Sequence, residues 1–168
     1  TLKKLGLSPI VVHGGGKRIN NKLEELGIKS NFVKGLRITK KITIEIVENV
    51  LIEFNQEIVK ALKKNSCDSE SINSKQNNII EVIKENEELG FVGTPTKINK
   101  IIIDKVINNK KIPIIAPLGL GENNQTYNIN ADTAAGSIAK NIRARRLIIM
   151  SDVEGVLDNN KKLIPEIN

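Results

Sequence analysis

The stretch PIVVHGGG at residues 9–16 decides the fold that the sequence predicts. Its apolar part is a short continuous run bounded by glycine, which is typical of a strand buried on both faces. Ile19, Leu23 and Leu26 follow at helical spacing, and Gly27 is a candidate for the C-cap of that helix. The three glycines are therefore expected at a turn between a strand and a helix.

The next segments continue this pattern. Residues 31–39 are short and mixed, and they predict a small hairpin or lid with a turn near Gly35. Apolar residues recur at every fourth position over residues 42–62, which predicts a long amphipathic helix that Thr39 can cap. Residues 65–78 are polar and rich in serine and asparagine, so a loop or disordered insertion is expected there.

Strands and helices alternate in the rest of the chain. We expect strands at residues 79–83, 112–116 and 147–150, turn residues at 90–95, helices at 98–107 and 131–142, and a loop at 119–128. This alternation predicts an α/β fold with a mainly parallel sheet and right-handed crossovers. Ligands of such sheets bind at the carboxyl ends of the strands, where three candidate segments fall: 14–16, 128–132 and 152–157. That coincidence indicates one shared site.

The composition favours no special partner. The 168 residues make about one domain, and the net charge of +7 comes from basic residues spread along the chain, with only Arg143, Arg145 and Arg146 clustered. Aromatic residues are 2% of the total, too few for the stacking platforms of nucleic-acid binders. The single cysteine, Cys67, excludes a disulfide framework and a cysteine-based zinc site. No apolar run approaches the ~18 residues of a membrane span.

Heavy use of lysine, asparagine and isoleucine indicates an AT-rich genome, such as that of a plastid or an endosymbiont. The chain begins at Thr1 and ends at Asn168 without a packed element, so we expect a fragment of a longer protein.

The glycine run is the first candidate site. Three glycines let the backbone approach a ligand without side-chain clash, and the following helix directs free N–H groups and the positive end of its dipole to the same place. This arrangement suits a phosphate. The segment is not a Walker P-loop, because Lys17 is followed by Arg18 instead of serine or threonine. A mere tight turn is the alternative.

The other candidates are polar side chains near the predicted strand ends. Arg37 could hold a carboxylate through two parallel hydrogen bonds, against the alternative of a solvated surface arginine. Asn128 and Asn130 share one face, and Asp132 falls at the entrance of a helix; capping and a favourable helix dipole are the alternatives. His13 is expected to pack or hydrogen-bond beside the glycine turn and not to act as a general base.

The segment DVEGVL at residues 152–157 follows a predicted strand. Asp152 could face a nucleotide or organise a lysine, and Gly155 permits a tight loop. A strand followed by aspartate and a turn is a common pattern, so this signal is weak.

Five motifs together resemble a known family. VVHGGG at residues 11–16, GLRIT at 35–39, ELGFVG at 88–93, YNINAD at 127–132 and SDVEGVL at 151–157 occur in the order seen in acetylglutamate kinases, a branch of the amino-acid kinase family. The glycine run and the last motif are shared across the wider family, whereas GLRIT with NINAD is specific to this branch. The resemblance covers nearly the whole chain.

The resemblance implies an open three-layer αβα sandwich with a mainly parallel sheet. Residues 1–168 would be one incomplete domain, with residues 1–120 as the acetylglutamate-binding lobe and residues 121–168 as the start of an ATP-binding lobe. The polar residues 65–78 depart from the family, which carries a glycine-rich segment after the long helix.

The resemblance also implies roles for individual residues. Gly15 and Gly16 would contact the substrate and the transferred phosphoryl group, and Arg37 would hold the α-carboxylate. Asn128 would also contact acetylglutamate, and Asp132 would position the catalytic lysines. The residues implied at the nucleotide are Gly14, Asp152, Val153, Glu154, Gly155, Val156 and Leu157.

The implied reaction is phosphorylation of the γ-carboxylate of N-acetyl-L-glutamate by ATP and Mg²⁺, the second step of arginine synthesis. The nucleophile is already ionised, so no general base is required, and catalysis would rest on positioning and charge neutralisation. Both catalytic lysines of the family are expected outside this chain, so the chain alone is expected to be inactive.

The family implies a homo-oligomer, either a dimer or a hexamer of dimers, and leaves control by a PII-type signalling protein open. A plastid stroma or a bacterial cytoplasm would be its location. The alternatives are a kinase for glutamate, aspartate, carbamate or UMP, a non-catalytic relative that binds acetylglutamate or arginine, and a basic nucleic-acid binder.

Overall fold

The computed structural model describes residues 6–73, 77–150, 155, 158 and 162–164. The strands are β1 (Val11–Val12), β2 (Phe32–Val33), β3 (Leu36–Arg37), β4 (Ser69–Ile72), β5 (Ile80–Lys84), β6 (Gly93–Ile98), β7 (Ile112–Ile115), β8 (Leu118–Leu120) and β9 (Thr126–Asn128). The helices are α1 (Gly16–Glu25), α2 (Lys41–Lys64), α3 (Lys100–Asn108) and α4 (Ala131–Ile142).

A parallel sheet in the order β1-β7-β4 forms the centre of the molecule. All four residues of β7 are buried, which agrees with the continuous apolar run that predicted this strand. Val12, Ile115 and Ile72 stand side by side across the three strands and point to one face. Val11 and Val12 are half-buried, so the expectation that β1 is buried on both faces is wrong, since β7 alone pairs with β1 among the described strands.

Helices cover both faces of this sheet. α3 and α4 pack their buried residues against the face that carries Ile115, whereas α1 and α2 form a second cluster on the other side. The amide of Asn55 in α2 donates to the carbonyl of Ile114 in β7 at 2.9 Å. The layers are therefore helix, sheet, helix, and the predicted α/β sandwich is confirmed.

A second sheet runs in the order β6-β5-β8-β9. β5 pairs antiparallel with β6 and parallel with β8, and β8 pairs antiparallel with β9. Ile80, Val82, Ile98 and Ile129 join the core cluster that contains α3 and α4. This sheet extends the same core toward β9, which ends at the site described below.

The small hairpin predicted at residues 31–39 is confirmed as β2 paired antiparallel with β3. Its two-residue loop, Lys34 and Gly35, has φ values of 49° and 79°. Positive φ at both loop residues is the geometry that suits the twist of a tight hairpin.

The helix ends agree with the sequence in one case and differ in another. At the end of α1, Gly27 has a φ of 69°, and the N–H of Ile28 donates to the carbonyl of Leu23 at 2.8 Å. This is the left-handed glycine cap that the sequence predicted. Thr39 does not cap α2, because its hydroxyl donates to the carbonyl of Arg37 at 3.0 Å and Lys40 occupies the cap position.

The expectation of a loop over residues 65–78 is wrong for Ser69–Ile72, which form β4, and residues 74–76 of that range lie outside the described residues. The polar side chains of β4 are accommodated by partners on both sides. The hydroxyl of Ser69 donates to the carbonyl of Val59 at 3.4 Å, and Lys111 forms an ion pair with Glu70 at 2.9 Å. A strand whose polar groups find partners need not be apolar.

The turn expected at residues 90–95 and the loop expected at 119–128 are only half correct, because residues 93–95 lie in β6 and residues 119–120 and 126–128 lie in β8 and β9. β6 continues to Ile98, so the helix predicted at residues 98–107 begins at Lys100 instead. A Cβ at Gly119 would lie 2.4 Å from Val82, and one at Gly93 would lie 2.9 Å from the same residue. These glycines allow strands to approach side chains closely and do not mark turns.

The strand expected at residues 147–150 is not formed. Leu147 to Met150 have no strand pairing in the described part of the chain, and Ile148 and Met150 are 76% and 94% exposed. An apolar run becomes a strand only when a neighbouring strand takes its backbone hydrogen bonds. Within the described ranges, no helix is long and apolar enough to cross a membrane.

Gly90 offers a test of the packing that holds the hairpin. Both Gly90 and Gly27 have positive φ, at 71° and 69°, but a Cβ at Gly90 would lie 2.5 Å from the carbonyl oxygen of Thr39, whereas one at Gly27 would meet nothing within 4 Å. We expect Gly27→Ala to lower the free energy of unfolding by about 1 kcal/mol, the cost of the backbone conformation. Gly90→Ala should lower it by about 1–3 kcal/mol more, because backbone atoms must move.

Urea unfolding of the two variants measures this difference. Equal losses in both variants would show that Gly90 is needed only for its backbone angle and that the contact with Thr39 carries no cost.

Candidate active site

A cleft of about 220 Å³ opens where the glycine turn, the β2–β3 hairpin and the start of α4 meet. The predicted site residues Gly14, Gly15, Gly16, Arg37 and Asn128 all line it. The remaining lining residues are Ile19, Phe32, Gly35, Leu36, Leu51, Val92, Pro117, Ile129, Asn130 and Ala131. The structure thus brings together segments that are more than a hundred residues apart in sequence.

The glycine turn is packed tightly on one side and open on the other. A Cβ at Gly15 would lie 2.6 Å from Cδ2 of Leu51 in α2, whereas a Cβ at Gly16 would meet nothing within 4 Å. Gly15 therefore provides close packing against α2, and Gly16 starts α1 at the cleft. The first N–H groups of α1 have no partner within the helix, and its first turn carries no acidic residue.

A second helix begins at the same cleft. Asn130 is the N-cap of α4, and its Oδ1 accepts a hydrogen bond from the N–H of Thr133 at 3.0 Å. A Cβ at Gly14 would lie 3.8 Å from the Cβ of Ala131 in the first turn of α4. The positive ends of two helix dipoles therefore meet at this cleft, an arrangement that attracts anions. The sequence pattern placed both helix starts near strand ends but did not show that they face each other.

Arg37 is buried, with only 7% of its surface exposed, so the alternative of a solvated surface arginine is wrong. Its guanidinium donates to Oδ1 of Asn20 at 2.7 Å, to the carbonyl of Gly16 at 3.3 Å, and to the hydroxyl of Ser30. It also lies 4.6 Å from the centre of the Phe32 ring. Burial lowers the pKa of Arg37, yet a guanidinium stays protonated in proteins. Three of its five N–H donors are used in these bonds.

Residues 89–92 hold the hairpin and β9 in place on either side. The N–H of Thr39 donates to the carbonyl of Leu89 at 2.9 Å, and the N–H of Phe91 donates to the carbonyl of Thr39 at 2.7 Å. The N–H of Asn128 donates to the carbonyl of Phe91 at 2.9 Å, and its side chain donates to the hydroxyl of Thr39 at 3.4 Å. Sequence reasoning gave residues 88–93 no role in the site. The available signal was the motif ELGFVG at residues 88–93, which was noted without a role in the site.

Asp132 lies in the first turn of α4, as predicted, but it is exposed and is not among the residues that line the cleft. Its neighbour Ala131 lines the cleft, so Asp132 stands at the rim. A carboxylate there complements the dipole of α4, which is the alternative that the sequence offered for Asp132.

His13 lies beneath the glycine turn and does not line the cleft. Its Nδ1 is 2.8 Å from the carbonyl oxygen of Gly14, and Nδ2 of Asn55 is 3.1 Å from its Nε2. The ring meets Phe54 edge-on, with 5.1 Å between the ring centres. Burial lowers the pKa of His13, which keeps the ring neutral. The expectation that His13 hydrogen-bonds beside the glycine turn is confirmed.

The nucleotide-loop residues Asp152, Val153, Glu154, Val156 and Leu157 lie outside the described residues, and Gly155 is exposed. Among the described residues, no group of three or more His, Cys, Asp or Glu side chains could hold a metal ion alone.

The described cleft combines the buried guanidinium of Arg37 with two helix N-termini and backbone N–H groups. Such a set binds anions and stabilises negative charge.

Comparison with known proteins identifies the family of the chain. The family model of the amino acid kinase family matches residues 1–168. The chain is 66% identical over 167 residues to the acetylglutamate kinase of Pelagibacter ubique, covering 99% of this chain and 58% of the relative. It is 45% identical to the acetylglutamate kinase of Rhodospirillum centenum, covering 99% of this chain and 59% of the relative. The chain thus spans less than two thirds of the length of these relatives.

Solved structures show the same fold. The protein smu.665 of Streptococcus mutans superposes with a TM-score of 0.88 at 31% identity, covering 94% of this chain and 65% of that one. The N-acetylglutamate synthase of Neisseria gonorrhoeae, complexed with coenzyme A and L-arginine, superposes with a TM-score of 0.74 at 16% identity, covering 97% and 40% of the two chains. The family match over all 168 residues shows that the chain belongs to the amino acid kinase family.

Proposed function

We propose that this chain takes part in the ATP-dependent phosphorylation of the γ-carboxylate of N-acetyl-L-glutamate, the second step of arginine biosynthesis. The observation that carries the proposal is the buried guanidinium of Arg37, which lines the same cleft as the glycine turn and Asn128. The names of the relatives at 66% and 45% identity support the same substrate.

Arg37 would hold the α-carboxylate of the substrate. Its bonds to Asn20 and Gly16 fix the guanidinium in place, so little side-chain entropy is lost when the carboxylate binds. Asn128 would contact acetylglutamate through its side-chain amide, which the hydroxyl of Thr39 orients. The apolar side chains of Phe32, Leu36 and Val92 leave the rest of the cleft wall without charge.

The phosphoryl group would meet the N–H groups of Gly15 and Gly16. The substrate γ-carboxylate is ionised at neutral pH, so no proton must be removed before it attacks the terminal phosphorus of ATP. Charge on the phosphoryl oxygens would be balanced by these N–H groups and by the positive ends of α1 and α4. Asp132, at the rim, would position a catalytic lysine.

Residues 1–120 would form the acetylglutamate-binding lobe and residues 121–168 the start of the ATP-binding lobe, with Gly14 and residues 152–157 at the nucleotide. Mg²⁺ would supply further charge neutralisation when bound. Mg²⁺ in such reactions is held mainly by substrate phosphates with one or two carboxylates, which fits a described surface without a three-ligand cluster.

The relatives that support the proposal are bacterial, which favours a bacterial cytoplasm over a plastid. We also propose that the protein forms a homo-oligomer, either a dimer or a hexamer of dimers. The proposal does not include control by a PII-type protein.

A calorimetric panel tests the substrate. N-acetyl-L-glutamate should bind, and L-glutamate, L-aspartate, carbamate and UMP should bind at least about tenfold more weakly, because a cleft that orients acetylglutamate leaves polar groups unpaired with the others. Binding of UMP without binding of N-acetyl-L-glutamate would overturn the proposal.

The role of Arg37 can be separated from its part in holding the hairpin. 4-Acetamidobutyrate keeps the acetamide and the γ-carboxylate of the substrate but lacks the α-carboxylate. The unmodified chain should prefer N-acetyl-L-glutamate over this analogue by about 10–100-fold, the value of charge-assisted hydrogen bonds. Arg37→Ala should erase this preference, whereas Arg37→Lys should keep part of it.

Lys22→Ala is the matched control, since it removes one positive charge from an exposed residue of α1 outside the cleft. It should leave the preference unchanged. If Arg37→Ala weakens both ligands equally, Arg37 only supports the hairpin and does not bind the α-carboxylate.

Gly16 tests the approach of the phosphates to the backbone. Gly16→Ala and Gly136→Ala both add a methyl group to a helix at a position with no atom within 4 Å, so each should leave stability unchanged or raise it by up to about 1 kcal/mol. Only Gly16 lines the cleft. Gly16→Ala should weaken binding of a non-hydrolysable ATP analogue with Mg²⁺ by about tenfold, and Gly136→Ala should not. Equal affinity in both variants would remove Gly16 from the proposed phosphate site.

A further inference from the structure

Asn55 is fully buried in α2 and has no place in the mechanism above. Its Nδ2 donates twice, to the carbonyl of Ile114 at 2.9 Å and to Nε2 of His13 at 3.1 Å. Its Oδ1 is buried and has no hydrogen-bond partner in the described part of the chain. A buried unsatisfied oxygen costs about 1–3 kcal/mol. A side chain kept at that cost needs a reason beyond filling space.

The two acceptors fix the orientation of the amide. With the amide turned over, Oδ1 would face the carbonyl oxygen of Ile114, and two acceptors would be in contact. The observed orientation therefore places only hydrogens against Nε2 of His13. That nitrogen must be the unprotonated one, and in a neutral ring the hydrogen is then on Nδ1. Nδ1 donates it to the carbonyl of Gly14 at 2.8 Å.

The carbonyl of Gly14 controls the direction of the next N–H group. The described peptide bonds are all trans, and in a trans peptide the C=O and the following N–H point in opposite directions. His13 lies outside the cleft, whereas Gly14 and Gly15 line it. Drawing the Gly14 carbonyl toward His13 therefore directs the N–H of Gly15 away from His13, toward the cleft.

We propose that Asn55 and His13 are positioning residues: the chain of hydrogen bonds from the Ile114 carbonyl through Asn55 and His13 to the Gly14 carbonyl aims the Gly15 N–H at the phosphoryl group. This inference rests on the proposed function for the role of that N–H. A peptide between two glycines has little steric preference of its own, so without the bond it can rotate and turn its carbonyl oxygen to the anion. Neither side chain touches the substrate.

The hydrogen on His13 can be observed directly, because His13 is the only histidine in the sequence. Nitrogen-15 correlation spectra of the histidine ring should show the proton on Nδ1 in the unmodified chain. Asn55→Leu, which fills the space but donates nothing, should lose this single form. A proton on Nε2 in the unmodified chain would overturn the inference whatever the ligand data show.

Two substitutions of His13 separate positioning from packing. The amide nitrogen of His13→Asn can take the place of Nδ1 and donate to Gly14, whereas the amide of His13→Gln reaches the place of Nε2 and leaves Gly14 without a donor. Both remove the ring that packs on Phe54, so both should lower the urea midpoint by similar amounts.

The readout is a titration with inorganic phosphate, followed by the amide signals of Gly15 and Gly16. His13→Asn should bind within about threefold of the unmodified chain, and His13→Gln and Asn55→Leu about tenfold more weakly. Equal affinity of His13→Asn and His13→Gln would overturn the positioning role alone. If the unmodified chain shows no phosphate-dependent shift of Gly15, the proposed phosphate site fails as well, and the inference fails with it.

Discussion

The contact between Gly15 and Leu51 is the constraint on which the site depends. No Cβ fits between them, since it would lie 2.6 Å from Cδ2 of Leu51, so the glycine turn rests directly on α2. Asn55 is one helical turn further along the same face of α2, which places its amide under His13 and against the central strand. One face of α2 therefore sets how closely the glycine turn packs on the helix and how its peptide groups are directed.

The electrostatics of the cleft follow from where the helices begin. α1 and α4 lie on opposite sides of the central sheet, and both start at the same end of it. α1 begins where β1 of the central sheet ends, and α4 begins where β9 of the second sheet ends, so both helix N-termini reach the same cleft. The buried guanidinium of Arg37 adds a full charge to the two partial charges. An anion can bind there without a cluster of lysines on the surface.

The sequence predicted those elements whose burial follows one regular period. α2, α4 and β7 have apolar residues at helical spacing or in a continuous run, and they were located within a few residues. The sequence missed β4, β6, β8 and β9, because polar residues and glycines interrupt the apolar pattern of these strands. In the fold, neighbours such as Lys111 and Val82 accommodate these residues. Those neighbours come from distant parts of the chain, which local patterns do not show.

The site divides in the same way. The sequence could predict that Gly15, Arg37 and Asn128 lie in one cleft, because each belongs to a short motif near a predicted strand end. Residues 89–92 and Asn55 could not be predicted, because they act through backbone bonds and through a buried amide inside an otherwise ordinary helix. Residues that hold other residues in place carry no chemical signature of their own in the sequence.

The position of His13 explains why a histidine next to the site is not its base. With its Nδ1 proton donated to Gly14 and its Nε2 receiving the amide of Asn55, both ring nitrogens are occupied, and burial lowers the pKa of the ring. A base in that state could neither reach a substrate nor hold an added proton. A carboxylate nucleophile is already ionised and needs no such base. The imidazole is therefore free to serve as a rigid support, and the reaction that we propose is one that this arrangement can assist.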